Sequence, residues 1–520
     1  MPIRMVEDPD DKDFFKDNNN NNTGGNRRGG GLAALLPFLI SFLIKRPKLL
    51  IPILIIGGIV YFWGGGCNGM LPSDNNQEST FGKGGVLKPE EYAKSDIFNF
   101  LYEDNKLNPL PEAVSLLQYC PKRLNQGAQG SCVAWSNAYS IRTILLARQT
   151  GQNPDAIAFS PAYLYNLIKI DDDCQGSYIH RAIEIMSKKG AVPFSDMKYD
   201  ERTCSQPIPS NLDDKASNFR IKGAQRIGED PNAGLTLKDI LQIKHALNAG
   251  SPVAIGMMVG GSFMQAMMGK KVWIPEEDDY AQRGFGGHAM TVIGYDDNLE
   301  GGALQIMNSW GPEWGQDGIA WVRYTDFVEF TKEAYAYAPM GEAGKPVPTE
   351  FTVEFSLFNP KTNEEIPLQH LGNGRFKTQR PLQAGTPFKV KIKNNVDCYS
   401  YIFGQETDNS CYVLYPYSPK HSPYCGVTGV RVFPRGYNMI PDDKGKNDVV
   451  AVLISRKARN YDEIKTKVNN TGISDFKRAF ESALSAELLT GVAFKTADIV
   501  SFTTPYKNEK DVLITIEVEK

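Results

Sequence analysis

Apolar and polar positions divide the first part of the chain into segments of different character. Residues 1–31 are polar and rich in Asn and Gly, with an unbroken Asn run at 18–22. Such a segment buries too little apolar surface to offset the entropy lost on ordering, so a disordered tail is predicted. A short apolar run with a basic end follows at 32–48, and residues 49–68 carry no charged side chain.

The uncharged run 49–68 has the length and composition of a transmembrane helix. At about 1.5 Å per residue it spans roughly 30 Å, the thickness of a bilayer's hydrocarbon core. Tyr61 and Trp63 stand where interfacial aromatic side chains are expected. Basic residues precede the run, which predicts a single-pass cell-membrane protein with a cytoplasmic N-terminus and a periplasmic or extracellular catalytic part. We expect segment 32–48 to lie in the interface.

Two alternatives stay open for this apolar region. The run could be the buried helix of a soluble core. Cys67, preceded by Gly65 and Gly66, could instead be a lipid-modified cysteine that follows a signal peptide. Gly64 lacks the aliphatic character expected for that signal, and the polar leader is long for one.

Three regions follow the apolar run. Residues 69–115 are mixed and polar, which predicts a linker or a short prosegment. Residues 116–340 combine helical and strand-like spacings of apolar side chains and predict an α+β domain. A Gly- and Pro-rich stretch at 341–348 marks a boundary. Period-two alternation over residues 350–520 predicts an antiparallel β-sandwich, with a helix near 475–488.

Composition limits the partners and cofactors. The 520-residue chain has a formal net charge of −3, which gives no electrostatic basis for binding nucleic acid. Its cysteines show no C-x-x-C spacing and its histidines are dispersed, so no structural metal site and no organic cofactor are predicted. Cys174 could pair with Cys204, and Cys411 with Cys425, although sequence does not establish connectivity.

The candidate chemistry starts at Cys132. A glycine-containing loop at 125–131 precedes it, and a helical run at 133–147 follows, with Gly151 as its stop and Ser131 as the expected N-cap. A helix N-terminus stabilises a thiolate and lowers the thiol pKa, which is what a nucleophilic cysteine needs. The alternative for a cysteine in this position is a small buried hydrophobic residue.

A candidate base and its orienting group lie further along the chain. His288 begins an apolar strand behind two glycines, and Asn308 ends another strand at a Trp- and Gly-rich loop. An amide there can accept the imidazole N–H and fix the ring's tautomer, while Trp310 shields that bond from water. His180 and His245 lie in amphipathic helical runs and are more typical of surface or packing positions.

These blocks together resemble a known family. The segments 125–127, 130–132, 287–289 and 308–311 match, in order, the signature blocks of the papain-like (C1-type) cysteine peptidases. The resemblance covers residues 115–340 and implies a two-lobed fold. A helical lobe bears Cys132, and a β-barrel-like lobe carries the histidine and the asparagine.

The resemblance also implies roles for individual residues. The expected catalytic residues are the nucleophile Cys132, the base His288, the orienting Asn308, and Gln126 as an oxyanion donor. The residues expected to contact the substrate are Gly176, Ser177, Gly287 and Trp310.

Two positions depart from the family pattern. Gln129 stands where the family usually has a cysteine, so a disulfide is missing near the nucleophile. Val133 stands where the family usually has a tryptophan, which changes the packing behind the site. The family's helical inhibitory prosegment is not recognisable in 69–115, so the sequence leaves the activation route open.

After the peptidase-like domain, residues 350–460 resemble a bacterial envelope-associated module of unknown function. Strand segments at 387–392, 412–416 and 452–456 carry this resemblance. We expect an accessory domain that binds a protein or a glycan. The whole chain is predicted to be a bacterial, membrane-anchored cysteine endopeptidase that acts on protein or peptide substrates. A catalytically silent papain-fold scaffold and a cell-wall peptide amidase or transpeptidase are the alternatives.

Overall fold

The computed structural model describes residues 3–7, 81–98, 109–346, 348–426, 429–434, 437–496 and 499–520. The predicted transmembrane helix at 49–68 and the interfacial segment at 32–48 therefore lie outside the described residues. Within the described ranges, no helix is both long enough and apolar enough to cross a bilayer.

The first described segment is strand β1 (Ile3–Glu7), so the prediction of disorder is wrong for these five residues. They pair antiparallel with Tyr437–Pro441, with Ile3 opposite Pro441. Ile3 is buried in the core of the C-terminal domain. The alternation of apolar and polar residues at 3–7 is short, and the polar composition of segment 1–31 as a whole hides it.

A helical lobe forms the first half of the peptidase-like domain. Its helices, with one short helix that precedes the lobe, are α1 (Pro89–Tyr92), α2 (Cys132–Ala134), α3 (Thr143–Thr150), α4 (Pro161–Ile168), α5 (Ile179–Lys188), α6 (Asn211–Ser217) and α7 (Leu237–Asn248). A π-helical stretch, Trp135–Arg142, joins α2 to α3, so helical structure is continuous from Cys132 to Thr150. Gly151 ends it with a left-handed φ of 71°, a conformation that glycine adopts without strain.

An eight-stranded sheet forms the second lobe. The strands are β2 (Ala113–Ser115), β3 (Ala224–Arg226), β4 (Val253–Val259), β5 (Val272–Trp273), β6 (Gly286–Asp296), β7 (Ala303–Met307), β8 (Ile319–Arg323) and β9 (Thr331–Tyr337). Their order is β3-β9-β4-β6-β7-β8-β5, and β2 pairs with β6. Helix α8 (Tyr324–Phe330) packs beside the sheet. The central strand β6 begins against the helical lobe, which places the two halves of the candidate site side by side.

Short 3-10 helices connect these elements. They are Leu117–Tyr119, Pro154–Ala156, Gly261–Phe263, Gln265–Met267, Glu277–Ala281 and Leu299–Gly301.

The C-terminal domain contains two large sheets and the two-stranded pair that includes β1, around one apolar core. Its strands are β10 (Glu350–Asn359), β11 (Glu364–Ile366), β12 (Leu368–Gly372), β13 (Arg375–Thr378), β14 (Lys389–Asn394), β15 (Cys398–Gln405), β16 (Cys411–Tyr415), β17 (Tyr424–Cys425), β18 (Val430–Phe433), β19 (Tyr437–Pro441), β20 (Asn447–Ser455), β21 (Phe494–Thr496), β22 (Val500–Pro505) and β23 (Val512–Glu519). One sheet runs β18-β14-β10-β22-β21, and the other runs β12-β13-β23-β20-β15-β16.

Two features of this domain depart from the expected antiparallel sandwich. β13 and β23 pair in parallel. Two helices, α9 (Tyr461–Asn470) and α10 (Phe476–Ala483), form a second apolar cluster with residues of β15, β20 and β23. Asn460 and Asp475 cap these helices through their side chains, which is a strong N-terminal signal. Only the second helix was expected from the sequence.

Polar contacts join the two domains. Lys222 of the peptidase-like domain forms an ion pair with Asp397 at 2.5 Å. Gln225 donates a hydrogen bond to the Ser422 hydroxyl. Ile97 donates to the Lys420 carbonyl at 2.6 Å, so the segment before the peptidase-like domain also contacts the C-terminal domain.

Candidate active site

Cys132 is the first residue of helix α2 and is fully buried. Backbone N–H groups of Ala289 and Gly84 point at its sulfur, and the Ala289 nitrogen lies 3.4 Å from Sγ. Ser131 occupies the N-cap position without making a capping bond, contrary to expectation. Its hydroxyl instead lies 2.6 Å from the Tyr199 hydroxyl, which ties the loop before the cysteine to the rest of the lobe.

His288 and Asn308 are brought together by neighbouring elements of the sheet. Nε2 of His288 lies 2.8 Å from Oδ1 of Asn308, and Trp310 stacks on the imidazole with ring centroids 4.3 Å apart. The other ring nitrogen, Nδ1, has no hydrogen-bond partner among the described residues. A ring held through one nitrogen has the other available to exchange a proton with a thiol.

Gln126 is buried beside this group. Its Oε1 accepts a hydrogen bond from the Ser309 hydroxyl at 2.6 Å, and its amide nitrogen donates to the Gln129 carbonyl at 2.8 Å. These bonds fix the orientation of the side-chain amide. The amide nitrogen also donates to the carbonyl of Gly82, 3.1 Å away. A residue expected to stabilise an oxyanion thus binds a carbonyl of this chain.

That carbonyl belongs to residues 81–87, here called the strap. The strap lies across the residues expected to act as catalytic or substrate-binding groups. Trp310 Nε1 donates to Gly82 at 3.0 Å, and the Gly85 N–H donates to Gly287 at 3.0 Å. Ser177 exchanges two backbone bonds with the strap: its N–H donates to Gly84 at 2.9 Å, and its carbonyl accepts from Val86 at 3.1 Å.

The strap fits because three of its residues are glycines. A Cβ added to Gly84 would lie 2.1 Å from the Gly130 carbonyl oxygen, and one added to Gly82 would lie 2.6 Å from the Gln129 oxygen. These neighbours are backbone atoms, so they cannot move aside as a flexible side chain would. Gly176, with φ of 149°, is equally restricted, because its Cβ would lie 2.4 Å from the Gly84 oxygen.

The strap covers Cys132. The N–H of Gly84 points at the Cys132 sulfur. The strap also pairs in parallel with Ser177 through Gly85. These contacts make the strap an occluding segment.

Burial under the strap favours the neutral forms of Cys132 and His288. Desolvation raises the pKa of the Cys132 thiol to about 11, although backbone N–H groups partly oppose it. Desolvation also lowers the pKa of His288 to about 4; the bond to Asn308 opposes this, and the positive charge of Lys83 adds to it. Near neutral pH the strapped site therefore holds a thiol and a neutral imidazole.

The sequence missed the strap, although it carries a local signal. Phe81-Gly-Lys-Gly-Gly85 is glycine-rich within a region assigned to a linker or short prosegment. The sequence also gave no reason to single out Tyr199. Its hydroxyl bonds the Gln126 carbonyl at 2.8 Å and Gln129 Oε1 at 3.0 Å. Gln129, which stands where the family usually has a cysteine, is thus held by hydrogen bonds.

Of the two expected disulfides, one is formed and the other is not. Cys174 and Cys204 form a disulfide. Cys411 and Cys425 are both free thiols, so the expected bond between them is not formed. They lie on different strands, and Cys425 is paired in register with Cys398. The assumed simple hairpin does not exist because β17 pairs with β15 and not with β16.

The two other candidate histidines of this domain lie on helices of the helical lobe. His180 is on α5, and its Nδ1 lies 2.8 Å from the Ser95 hydroxyl. His245 is buried on α7, and burial lowers its pKa to about 3. Among the described residues, no group of three or more His, Cys, Asp or Glu side chains could hold a metal ion.

Comparison with known proteins identifies the family of the central domain. The family model "Papain family cysteine protease" matches residues 116–339. An uncharacterised peptidase C1-like protein of Acanthamoeba polyphaga mimivirus is 27% identical over 256 residues, covering 48% of this chain and 75% of that protein. A cathepsin B-like protein of Giardia intestinalis is 26% identical over 220 residues, covering 42% of this chain and 69% of that protein.

A solved structure, that of xylellain from Xylella fastidiosa, is also similar. It is 22% identical, covers 52% of this chain and 100% of that chain, and has a TM-score of 0.41. The curated relatives come from a virus, a protist, plants and a mammal, so a bacterial origin stays a prediction. The match of the family model and the named relatives show that residues 116–339 form a papain-family cysteine peptidase domain.

Proposed function

We propose that this protein is a membrane-anchored cysteine endopeptidase that works through Cys132, His288 and Asn308. One observation carries the proposal: a buried cysteine at a helix start and a histidine held at 2.8 Å by an asparagine lie on facing elements of a papain-family domain. A scaffold protein would have no need for the combination of nucleophile, base and orienting group.

The proposed reaction follows from the roles of these atoms. The Cys132 thiolate attacks the scissile carbonyl carbon, while its proton resides on His288. The Gln126 amide and the Cys132 N–H stabilise the oxyanion. His288 gives its proton to the leaving amine, and the acyl group stays on sulfur as a thioester. Water, deprotonated by His288, then releases the acid and regenerates the thiol.

The strap makes this a latent enzyme. Its carbonyl at Gly82 engages Gln126, and its N–H at Gly84 faces Cys132. Substrate therefore has to replace the strap. Residues after the strap are strongly anchored, since the hydroxyl of buried Tyr92 donates to the Ile227 carbonyl. Release of the strap, by cleavage or by displacement, is the proposed activation step.

The test uses the full-length chain with Gly84→Val, which prevents the strap from seating. An epoxide thiol trap and a fluorogenic peptide report reactivity and turnover. We expect fast labelling at Cys132 and peptide hydrolysis, both lost in Cys132→Ala and His288→Ala. If Cys132 labels no faster than the buried thiol Cys411 in a folded sample, the scaffold alternative stands.

The cell-wall alternative uses the same acyl-enzyme chemistry, and product analysis separates it from endopeptidase action. The thioester can be captured by water or by an amine. Mass spectrometry of products formed with and without an added amine acceptor distinguishes the two. Hydrolysed protein fragments support the endopeptidase, whereas transfer products from short wall-type peptides support a transpeptidase.

We propose the membrane anchor from the sequence, but we place the N-terminus on the same side of the membrane as the catalytic part and not in the cytoplasm. Strand β1 pairs with β19 of the same chain, so residues 3–7 and 437–441 lie on the same side of any membrane. A single crossing at 49–68 would separate them. We propose that the chain enters and leaves the membrane on the same side through the apolar runs 32–44 and 49–68. The first run is shorter than a usual crossing, about 20 Å as a helix, so it requires local thinning of the bilayer and replaces the interfacial position expected above. Lys45, Arg46 and Lys48 between the runs would then be cytoplasmic.

The catalytic and C-terminal domains would both be periplasmic or extracellular. For the C-terminal domain we propose binding to a protein or glycan of the cell envelope, supported by its resemblance to an envelope-associated module.

A further inference from the structure

Two free cysteines of the C-terminal domain face each other across a strand pair. Cys398 begins β15 and Cys425 ends β17, and the two are directly opposite in antiparallel register. Opposite residues on antiparallel strands project from the same face of the sheet, with Cα atoms about 4.5–5.5 Å apart. That separation lies within the range of roughly 4.4–6.8 Å that a disulfide spans.

The surroundings prepare one of these thiols for exchange chemistry. Both side chains are fully buried. Burial opposes ionisation of Cys425, but the Cys398 thiol, the Arg431 guanidinium and the Ser400 hydroxyl outweigh it and lower its pKa below that of an ordinary thiol. Cys425 Sγ lies 3.4 Å from the Ser400 hydroxyl. β17 has two residues and pairs with the first two residues of β15. It can therefore open locally more readily than a central strand.

The other cysteines provide internal comparisons. Cys174 and Cys204 already form a disulfide, which indicates a chain suited to an oxidising compartment. Cys120 and Cys411 are also free and buried, and burial raises the pKa of each thiol to about 12. Cys411 lies opposite Gln405 in its strand pair, so no cysteine faces it there.

We propose that Cys398 and Cys425 form a second disulfide, made by exchange with a disulfide-bearing oxidant. The Cys425 thiolate attacks a sulfur of the oxidant, forming a mixed disulfide and releasing one thiol. The Cys398 sulfur then attacks the Cys425 sulfur and releases the second thiol. The two protein thiols are oxidised by two electrons, and one disulfide of the oxidant is reduced to two thiols.

This bond closes the loop that contacts the peptidase domain. Residues 416–423 connect β16 to β17 and include Ser422, which accepts from Gln225, and Lys420, which accepts from Ile97. Asp397, beside Cys398, pairs with Lys222. The disulfide thus joins β15 to β17, close to the residues of both strands' flanks that contact the peptidase-like domain. The inference does not depend on the peptidase being active.

The test treats the folded full-length chain with glutathione disulfide. Free thiols are then alkylated under denaturing, non-reducing conditions, and linked peptides are mapped by mass spectrometry. We expect the Cys398 peptide linked to the Cys425 peptide, with Cys120 and Cys411 alkylated. Alkyl groups on both Cys398 and Cys425, in a sample whose Cys174–Cys204 bond is intact, overturn the proposal. So does a Cys411–Cys425 link.

Thermal unfolding gives a second readout. Oxidation is expected to raise the Tm of the C-terminal domain by roughly 5 °C, because the bond restricts the unfolded chain. Cys411→Ser is the matched control and should show the same rise. Cys398→Ser should show none. An equal rise in Cys398→Ser would assign the effect to other cysteines and contradict the proposal.

Discussion

The carbonyl oxygen of Gly82 accepts a hydrogen bond from the side-chain amide of Gln126 at 3.1 Å. The amide proposed as oxyanion donor is thus occupied by a carbonyl of the chain itself. Two residues further on, the Gly84 N–H points at the Cys132 sulfur. The strap fills the space that a substrate would need, which makes it the first target for mutation.

Gly84→Val should unseat the strap. Its Cβ would lie 2.1 Å from the Gly130 oxygen, a backbone atom that cannot yield. We expect epoxide labelling of Cys132 at pH 7 to be at least about tenfold faster than in the wild type, since water and reagent then reach the sulfur and its pKa falls. The rate is followed by intact mass.

Lys83→Ala is the matched control within the strap. It removes a side chain but keeps the backbone bonds of its glycine neighbours, so occlusion should persist and labelling should stay slow. Equal labelling rates in the wild type and Gly84→Val, with both folded, would show that the strap does not control access to Cys132.

Gln126→Ala, made in the Gly84→Val chain, should lower kcat by about 100-fold. Loss of one preorganised oxyanion donor costs about 2.7–4 kcal/mol of transition-state stabilisation. Gln129→Ala is the control: it loses the bonds to Glu201 and Tyr199 but removes no oxyanion donor. Peptide hydrolysis and Tm are measured for both variants. A similar fall in kcat for both would assign the effect to loop disruption.

Asn308→Ala, in the same background, should reduce kcat by about 10- to 100-fold while leaving Cys132 present and titratable. His288 then loses the partner that fixes its ring through Nε2. Asn308→Asp keeps an acceptor and adds a negative charge, so it should raise the pKa of His288 and shift the pH–rate profile to higher pH. Unchanged profiles in both variants would remove Asn308 from the proposed orienting role.

Sequence reasoning singled out Cys132 and His288 because each is marked by its near neighbours. Cys132 follows a glycine loop at a helix start, and His288 follows two glycines at a strand start. The glycine-rich sequence of the strap did not reveal its position, because that position depends on backbone bonds to Gly287 and Ser177, both remote in sequence. The pairing of Cys398 with Cys425 was missed for the same reason, since strand order cannot be read from period-two alternation.

The N-terminal strand was missed because composition was averaged over a long segment. Ile3–Glu7 is too short to be stable alone, and it forms because β19 offers it backbone partners and Ile3 enters the apolar core. A composition average over a long segment cannot detect five such residues.

Glu333→Gln should change how stability depends on pH. Burial raises the pKa of Glu333 to about 8; hydrogen bonds from the Tyr335 hydroxyl and the Lys88 N–H partly oppose this. An acid whose pKa is raised in the folded state stabilises it fully below the unfolded value near 4.5, and this contribution is lost as pH rises toward 8. The wild type should lose about 1.4 kcal/mol per pH unit in that window relative to the variant.

The measurement is the difference in Tm between Glu333→Gln and the wild type from pH 5 to pH 8, which should grow with pH. Glu329→Gln, at an exposed position of α8, is the control and should give a difference that is flat with pH. A flat difference for Glu333→Gln as well would mean that this carboxyl is ionised throughout.

The β1–β19 pairing makes a prediction about sidedness in the membrane. A tag placed before Met1 and a tag placed after Lys520 should both react with an impermeant reagent applied outside intact cells, because residues 3–7 pair with 437–441. A tag inserted between Arg46 and Pro47, within the basic stretch that separates the two apolar runs, should react only after permeabilisation.

Ile3→Asp is the companion variant. It places a charge in the core of the C-terminal domain and should weaken the strand pairing without moving any tag across the membrane. If the C-terminal tag reacts and the N-terminal tag is protected, the chain crosses the membrane once. The β1–β19 contact could then not form in the membrane-bound protein. Accessibility of all three tags without permeabilisation would instead leave the apolar runs outside the bilayer. The anchor itself would then fail as a proposal, while the peptidase site would be unaffected.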